Sequence, residues 1–368
     1  MKVSIYVRNA TEGPSCYYRI MQYFSNISVN KKVHNIMSQK MFRINLDCKF
    51  NYAKIIIQGC LFLLMCIRAI WFLATDLVYK PDIVVVSRTI LPRHTLKFVA
   101  FLEKKLFKQT KLVWDFDDYI FLNREISTTE AELFGRYSQK NIVTNSFLAG
   151  TLDKKYQNKI CILPTTDGDF ENIDLRKEIK DREKSYESEI RFVWLGTGGN
   201  IIFVEQVLNE LDMLAKKIKV CLKKEVILYV ISNKELRKKT NYIQIKNVNW
   251  SRERAIQYVA KSHVGIMPLP HTEYTNGKGG FKLIQYMAAG IPVIGSNVGM
   301  NREIVNDEFG FLLEDKDNLE CWENVNLSLF RDFNIWKKYC EKSRDEWSKR
   351  FSFQAGLDCW KKIIKELK

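Results

Sequence analysis

Lys278 and Lys282 stand four residues apart in GKGGFKLIQYMAAGIPVIGS, the stretch from Gly277 to Ser296, with further glycines at Gly279 and Gly280. Two ammonium groups beside a glycine-rich helix entry suit the gripping of an anion. The first N–H groups of a helix are unpaired, and its dipole adds about half a positive charge there. The lysines point to a phosphate. The pattern predicts a helix over 281–289, with Gly290 in the left-handed region at its end and Pro292 preventing continuation. Lys278 then lies in the loop and Lys282 in the first turn. Gln285, one turn further on, faces roughly the same way as Lys282 and Phe281. The alternative is an ordinary capped helix with solvated lysines.

Three other stretches offer chemistry. GTGGN holds Gly196, Thr197, Gly198 and Gly199 between a strand and a helix, where backbone N–H groups can face a diphosphate or simply make a tight turn. A dinucleotide fingerprint is disfavoured, because neither Asp212 nor Glu225 ends a strand at the required distance downstream. In VWDFDD, Asp115 and Asp117 share a strand face and Asp118 is placed to start a helix. Such carboxylates can orient sugar hydroxyls, hold a metal, act as a base, or only position the strand end. GPSCYYRI puts Ser15 and Arg19 in the first strand-to-helix connection, where a guanidinium suits phosphate or carboxylate, or lies on the surface. His34 and His263 read as structural, while His94 and His271 lie nearer the functional loops. The nine cysteines form no C-x-x-C pair and no metal-like group with the four histidines, so they read as reduced packing thiols and no metal is expected.

The run GKGGFKLIQYMAAGIPVIGSNVGMNREIV, Gly277 to Val305, resembles the donor-sugar signature of glycosyltransferase family four. These are retaining, nucleotide-sugar-dependent enzymes of GT-B fold. Weaker echoes in GPSCYYRI, WDFDD, ILPTTDG and VWLGTGGN extend the resemblance over nearly the whole chain. It implies two Rossmann-like, doubly wound parallel-sheet domains facing each other across a cleft. The family's acid pair would fall on Gly277 and Gln285, and neither is acidic. Gln285 can still hydrogen-bond ribose hydroxyls through its amide. Glu273, four residues before Gly277, is the expected substitute for the lost sugar contact. The basic pair that the family often places after the first strand of the second domain is missing from GTGGN, so Lys278 and Lys282 would supply that charge. The resemblance also implies that Asp115, Asp117 and Asp118, with Ser15 and Arg19, touch acceptor or donor sugar. The implied reaction moves a sugar with retention, without cofactor or metal, from a nucleotide-diphosphate sugar, expected to be a UDP-sugar. The acceptor would be a saccharide, expected to be lipid-linked, in surface polysaccharide or glycoconjugate assembly. A catalytically silent binding protein of the same fold is the alternative that Gly277 and Gln285 keep open.

Elements of α/β type must position these residues. Strand patterns at VSIYVRN, DIVVVSR, KLVWDF, NIVTNS and KICILPT alternate with helical stretches, and the alternation resumes with RFVWLG, EVILYVIS, IQIKNVNW, HVGIMPL and PVIGS. This gives residues 1–170 as an acceptor-binding domain and 171–189 as a charged linker. Residues 190–350 form a nucleotide-sugar-binding domain, and 351–368 a terminal helix that packs back on the first. With 368 residues, two domains are expected. The net charge of +16 attracts phosphates: nucleotides, nucleic acid or an anionic membrane. No nucleic-acid motif accompanies it, so that class is set aside. The apolar run Ile55–Ala74 is nearly long enough to span a bilayer, yet it carries Gln58 and Arg68 and leads straight into a strand. It is expected to be a buried or membrane-leaning helix. A basic helical face of Arg93, Lys97, Lys104 and Lys108, opposite Phe98, Leu102 and Leu106, suggests peripheral contact with the inner face of the cell membrane from a cytoplasmic location.

Overall fold

A computed structural model describes residues 1–47, 52–171, 173–314, 322 and 325–368. The chain divides into two compact units: Met1–Thr165 with Gly356–Lys368, and Thr166–Ala355. Each holds a six-stranded, all-parallel sheet with helical crossovers, which is the GT-B architecture.

The first sheet contains β1 (Lys2–Val7), β2 (Asn30–Asn35), β3 (Ile83–Ser87), β4 (Lys111–Phe116), β5 (Ser138–Val143) and β6 (Ile160–Ile162). Its spatial order is β2-β1-β3-β4-β5-β6, so the winding direction reverses between β1 and β3. The second contains β7 (Glu189–Leu195), β8 (Glu225–Ser232), β9 (Ile243–Asn249), β10 (Val264–Met267), β11 (Val293–Ser296) and β12 (Gly310–Leu313). Its order is β12-β11-β10-β7-β8-β9, and the reversal falls between β7 and β10. Ligands of open parallel sheets bind beyond the carboxyl ends of strands at such reversals. Residues following β1, β3, β7 and β10 are therefore the ones to watch.

The apolar patterns found ten of the twelve strands among the described residues. NKKVHN makes β2, an edge strand with its first three residues exposed, and carries no apolar run to betray it. GFLL makes β12, only four residues long.

The stretch expected as a linker, 171–189, falls within the second unit. Leu175–Tyr186 is a helix of the second unit, and its charged sequence hides two anchors. Arg182 is fully buried and donates to the Ala260, Ala289 and Gly290 carbonyls at 2.6, 2.8 and 2.9 Å. Tyr186 is equally buried and donates to the Leu329 carbonyl at 2.7 Å. The division between the units falls at Thr165–Thr166 rather than at residue 171.

The long apolar helix runs Tyr52–Tyr79 and is long and apolar enough to cross a membrane, with 22% of its most apolar window buried. Leu61, Met65, Ala69 and Leu73 form its buried stripe. Arg68 donates to the Asn35 carbonyl at 2.7 Å and to the Ile36 carbonyl at 3.2 Å. Asp76 accepts from Tyr6 at 2.9 Å and pairs with His34 at 3.0 Å.

The basic face is differently built from the expectation. The helix spans Lys97–Phe107, so Arg93 precedes it, in a left-handed conformation, and Lys108 caps it. Leu102 and Leu106 are buried, whereas Phe98 is 56% exposed and sits among the lysines.

Candidate functional site

The loop GTGGN leaves β7 at the reversal point of the second sheet. The amides of Gly196, Gly198 and Asn200 are already taken, by the Ile231 carbonyl at 3.0 Å, Asn233 Oδ1 at 2.7 Å and the Thr197 carbonyl at 2.9 Å. The expectation that this loop's N–H groups as a set face a diphosphate is therefore corrected for these three. The loop does provide room. A Cβ on Gly196 would meet the Trp194 ring at 2.8 Å and Lys282 Cε at 3.0 Å. Lys282 thus lies against the end of β7, its Nζ 5.8 Å from the Trp194 ring centroid.

The helix Phe281–Ala288 brings Lys282 there. Gly280 is its N-cap at φ +65°, and having no side chain, it leaves the first-turn N–H groups uncapped by its own residue. A Cβ on it would be strained at this φ and would stand 2.2 Å from Ile304 Cδ1, so glycine is strongly favoured. Tyr286 fixes the helix on the sheet: its ring fills the space over Gly265 of β10, and its hydroxyl accepts from the Leu195 amide at 3.2 Å and donates to the Ile266 carbonyl at 3.3 Å. At the other end Gly290 has φ +59°, and Arg182 and Arg344 donate to the last carbonyls. Guanidinium groups at a helix C-terminus offset its negative dipole end. The C-terminal end of the helix is thus closed by side chains, while its N-cap residue brings none to the other end.

Lys278, half-buried, donates to the Tyr274 hydroxyl at 2.7 Å and stands 4.3 Å from that ring's centroid. Gly279 lies between the two lysines. Glu273 is exposed, in the first turn of the short helix Glu273–Asn276, which is capped by Thr272 and Thr275.

Gln285 is buried and its amide donates to Asp167 Oδ2 at 2.6 Å, while its Oε1 has no partner. One of its two N–H donors is thus already committed. Burial first, then neighbouring Asp169, pushes the Asp167 carboxyl up to about 7, against the Gln285 hydrogen bond. Asp167 was missed as a site residue although it stands in ILPTTDG; only the fold sets it against Gln285. Asn301 is a second buried amide here, donating to the Ser296 carbonyl at 3.0 Å with its Oδ1 unpartnered. Unpartnered buried acceptors are rare and ask for an explanation.

In the first unit the expected set divides. Arg19 and Asp115 are fully buried and bonded to each other, Nη2 to Oδ1 at 2.6 Å and Nε to both carboxylate oxygens at 3.0 Å. Arg19 also donates to the Leu163 carbonyl and Thr165 hydroxyl at 3.0 Å, and its own carbonyl accepts from Trp360. Both residues therefore hold the fold together and are withdrawn from the sugar- and phosphate-contacting set. Ser15, Asp117 and Asp118 are brought together by Arg88, which follows β3 with φ +60°. Arg88 donates to Asp117 at 2.7 Å, Asp118 at 2.7 Å, Ser15 at 2.9 Å and Glu125 at 3.2 Å. Against burial, which pushes it up, the Arg88 charge holds Asp117 below the usual carboxylate range. The sequence showed Arg88 only as the last letter of a strand.

Beside this cluster lies a cavity of about 610 Å³ whose lining includes Arg8, Arg88, Arg93 and His94 together with Leu61, Phe62 and Met65. Arg8 follows β1, so the cavity opens at the reversal point of the first sheet. Of the remaining histidines, His271 hydrogen-bonds Arg302, and His263 is fully buried with its pKa pushed down to about 3, chiefly by burial.

Residues 194–332 match the family model described as glycosyl transferases group 1. No curated protein matches the chain. Among solved structures, a glycosyltransferase from Rickettsia africae is similar at 16% identity and TM-score 0.66, covering 100% of this chain and 98% of that one. Sucrose-phosphate synthase from Thermosynechococcus elongatus is similar at 12% identity and TM-score 0.65, with 100% and 98% covered. HepE from Anabaena, solved in complex with UDP and glucose, is similar at 11% identity and TM-score 0.63, with both chains covered completely. At these identities the likeness shows the fold, GT-B.

Proposed function

We propose that this chain is a retaining glycosyltransferase that moves a sugar from a UDP-sugar to a saccharide acceptor, lipid-linked, in the assembly of a surface polysaccharide or glycoconjugate. One observation carries the reading: Lys282 stands in the first turn of the helix Phe281–Ala288 and lies on Gly196 at the end of β7, within the segment that matches the glycosyltransferase model. Supporting it, HepE of the same fold was solved with UDP-glucose.

The diphosphate is bound by the helix N-terminus with Lys278 and Lys282, which stabilise it as negative charge develops on departure. Preorganised charge of this kind supplies several kcal/mol of rate acceleration, and here takes the part a divalent cation plays elsewhere. Glu273 contacts the donor sugar, and Gly279, Gly280, Phe281, Thr197 and Gly199 line the donor. With no nucleophile among the residues proposed, the acceptor attacks the face the diphosphate leaves, and the departing phosphate oxygen helps take its proton. The acceptor is held in the first unit at the cavity beside Arg88, Asp117, Asp118 and Ser15. The protein acts on the cytoplasmic side of a membrane, at its surface.

Incubation of the chain with UDP-, GDP- and ADP-sugars and lipid-linked saccharides tests this, with the anomeric configuration of the product read by NMR. Transfer from a UDP-sugar with retention, unaffected by EDTA and reduced about 10²- to 10³-fold in kcat by Lys282→Ala, is expected. Inversion, or equal activity in that variant, sinks the mechanism. Gly277, which leaves no side chain at the family's first acidic position, favours the second reading, a silent nucleotide-sugar binder. That reading predicts UDP-sugar binding without turnover.

A further inference from the structure

The helix Tyr52–Tyr79 has a side that the fold does not use. Opposite its buried stripe, Ile56, Leu63, Ile67, Trp71 and Val78 are 56 to 83% exposed. Their spacing puts them on one ridge, about 33 Å long at 1.5 Å per residue. The helix Lys97–Phe107 packs against the first and adds Phe98 and Phe101, exposed and stacked with centroids 6.4 Å apart. Lys97, Lys104, Lys105, Lys108 and Arg93 are exposed around these rings, and Lys105 Nζ stands 4.7 Å from the Phe101 centroid. Single exposed apolar residues need no explanation, but a continuous apolar ridge with a charged rim marks a docking surface.

The charge of the rim selects the occupant. A second copy related by symmetry would bring its own lysines against these, whereas an anionic bilayer supplies complementary charge for the rim and an acyl boundary for the ridge. We propose that this face docks on an anionic membrane leaflet, with the helix Tyr52–Tyr79 lying in the plane of the interface rather than crossing it. Its inner stripe argues against crossing. The bonds of Asp76 to Tyr6 and His34, and of Arg68 to the Asn35 carbonyl, would have to break, leaving charge in hydrocarbon. The placement deepens the lipid-linked acceptor reading and draws its purpose from it. Leu61, Phe62 and Met65, which wall the arginine-lined cavity, belong to this same helix, on the side opposite the ridge.

The test is co-sedimentation of the full chain with vesicles of about one part phosphatidylglycerol to three of phosphatidylcholine, against phosphatidylcholine alone. Binding to the anionic vesicles only, weakened by salt and reversed by alkaline carbonate, is expected. The bound fraction should fall about tenfold in Leu63→Ser/Ile67→Ser/Trp71→Ser and also in Lys97→Glu/Lys104→Glu/Lys108→Glu. Binding to neither vesicle, or a dimer that the serine variant dissociates, overturns the proposal. Resistance to carbonate overturns it in favour of a span. UDP binding by calorimetry, run on the same samples, separates the two ideas. Vesicle binding without UDP binding sinks the transferase reading alone, and the reverse outcome sinks docking alone.

Discussion

Gln285 occupies the position where the resemblance places an acid, and its environment explains why an amide suits it. Asp167 already stands 2.6 Å from its nitrogen, buried and with a pKa of about 7. A glutamate there would set two carboxylates together, and one would have to keep its proton. Gln285→Glu should therefore not restore an acidic pair. It should lower stability by about 2–4 kcal/mol above pH 7 and by less in acid, where a proton can be shared. Denaturant unfolding on both sides of pH 7 checks this, and a variant as stable as the native chain above pH 7 refutes it. The Arg19–Asp115 pair teaches the complementary point. Both residue types suit ligands, and both were read that way, yet each satisfies the other inside the fold. Charged types reveal what a site could do, while pairing decides whether they are available to do it.

At the scale of elements, the helix Phe281–Ala288 was legible because its punctuation is local. Glycines before it, Gly290 after it and Pro292 beyond are backbone instructions that need no partner. The positive φ values at Gly280 and Gly290 follow from them. Gly280→Ala tests how much of the site rests on that entry. A side chain in the left-handed region costs about 1 kcal/mol, and the overlap with buried Ile304 adds to it, for a total on the order of 1–3 kcal/mol. Because the strain falls on the residue that opens the helix, UDP affinity should fall along with the melting temperature. A variant with unchanged UDP affinity by calorimetry would detach the helix entry from donor binding. The helix Leu175–Tyr186 shows the opposite case. Its charged sequence reads as solvated, and the buried Arg182 is anchored by carbonyls from residues 78 to 108 positions away. No local pattern announces such a partner.

For the molecule as a whole, two buried groups in the second unit pull the pH dependence of stability in opposite directions. His263 stays neutral in the fold, with its pKa near 3 against 6.5 unfolded, so stability is lost as pH falls below 6.5. Asp167, near 7 against 3.8 unfolded, stays protonated in the fold, so stability is lost as pH rises from about 4 to 7. Asp167→Asn removes the second effect alone. Its melting temperature should exceed that of the native chain most above pH 7, with the gain fading toward pH 4. A gain that grows in acid would contradict the assignment.

Alternating apolar strands and helices, the glycine-framed lysine motif and the likeness it carries were readable along the chain, because periodicity and turn chemistry act between near neighbours. The two parallel sheets followed from them, except for β2 and β12, whose edge position and shortness leave no apolar signature. Tertiary structure alone decided which charges remain available: it joined Arg19 to Asp115, set Arg88 among Asp117, Asp118 and Glu125, and put Asp167 against Gln285. It also turned one side of an apolar helix outward. The physical reason is the same throughout. Burial and pairing depend on groups brought together from distant parts of the chain, and the free energy of a charge or an apolar face depends on those neighbours far more than on its own identity.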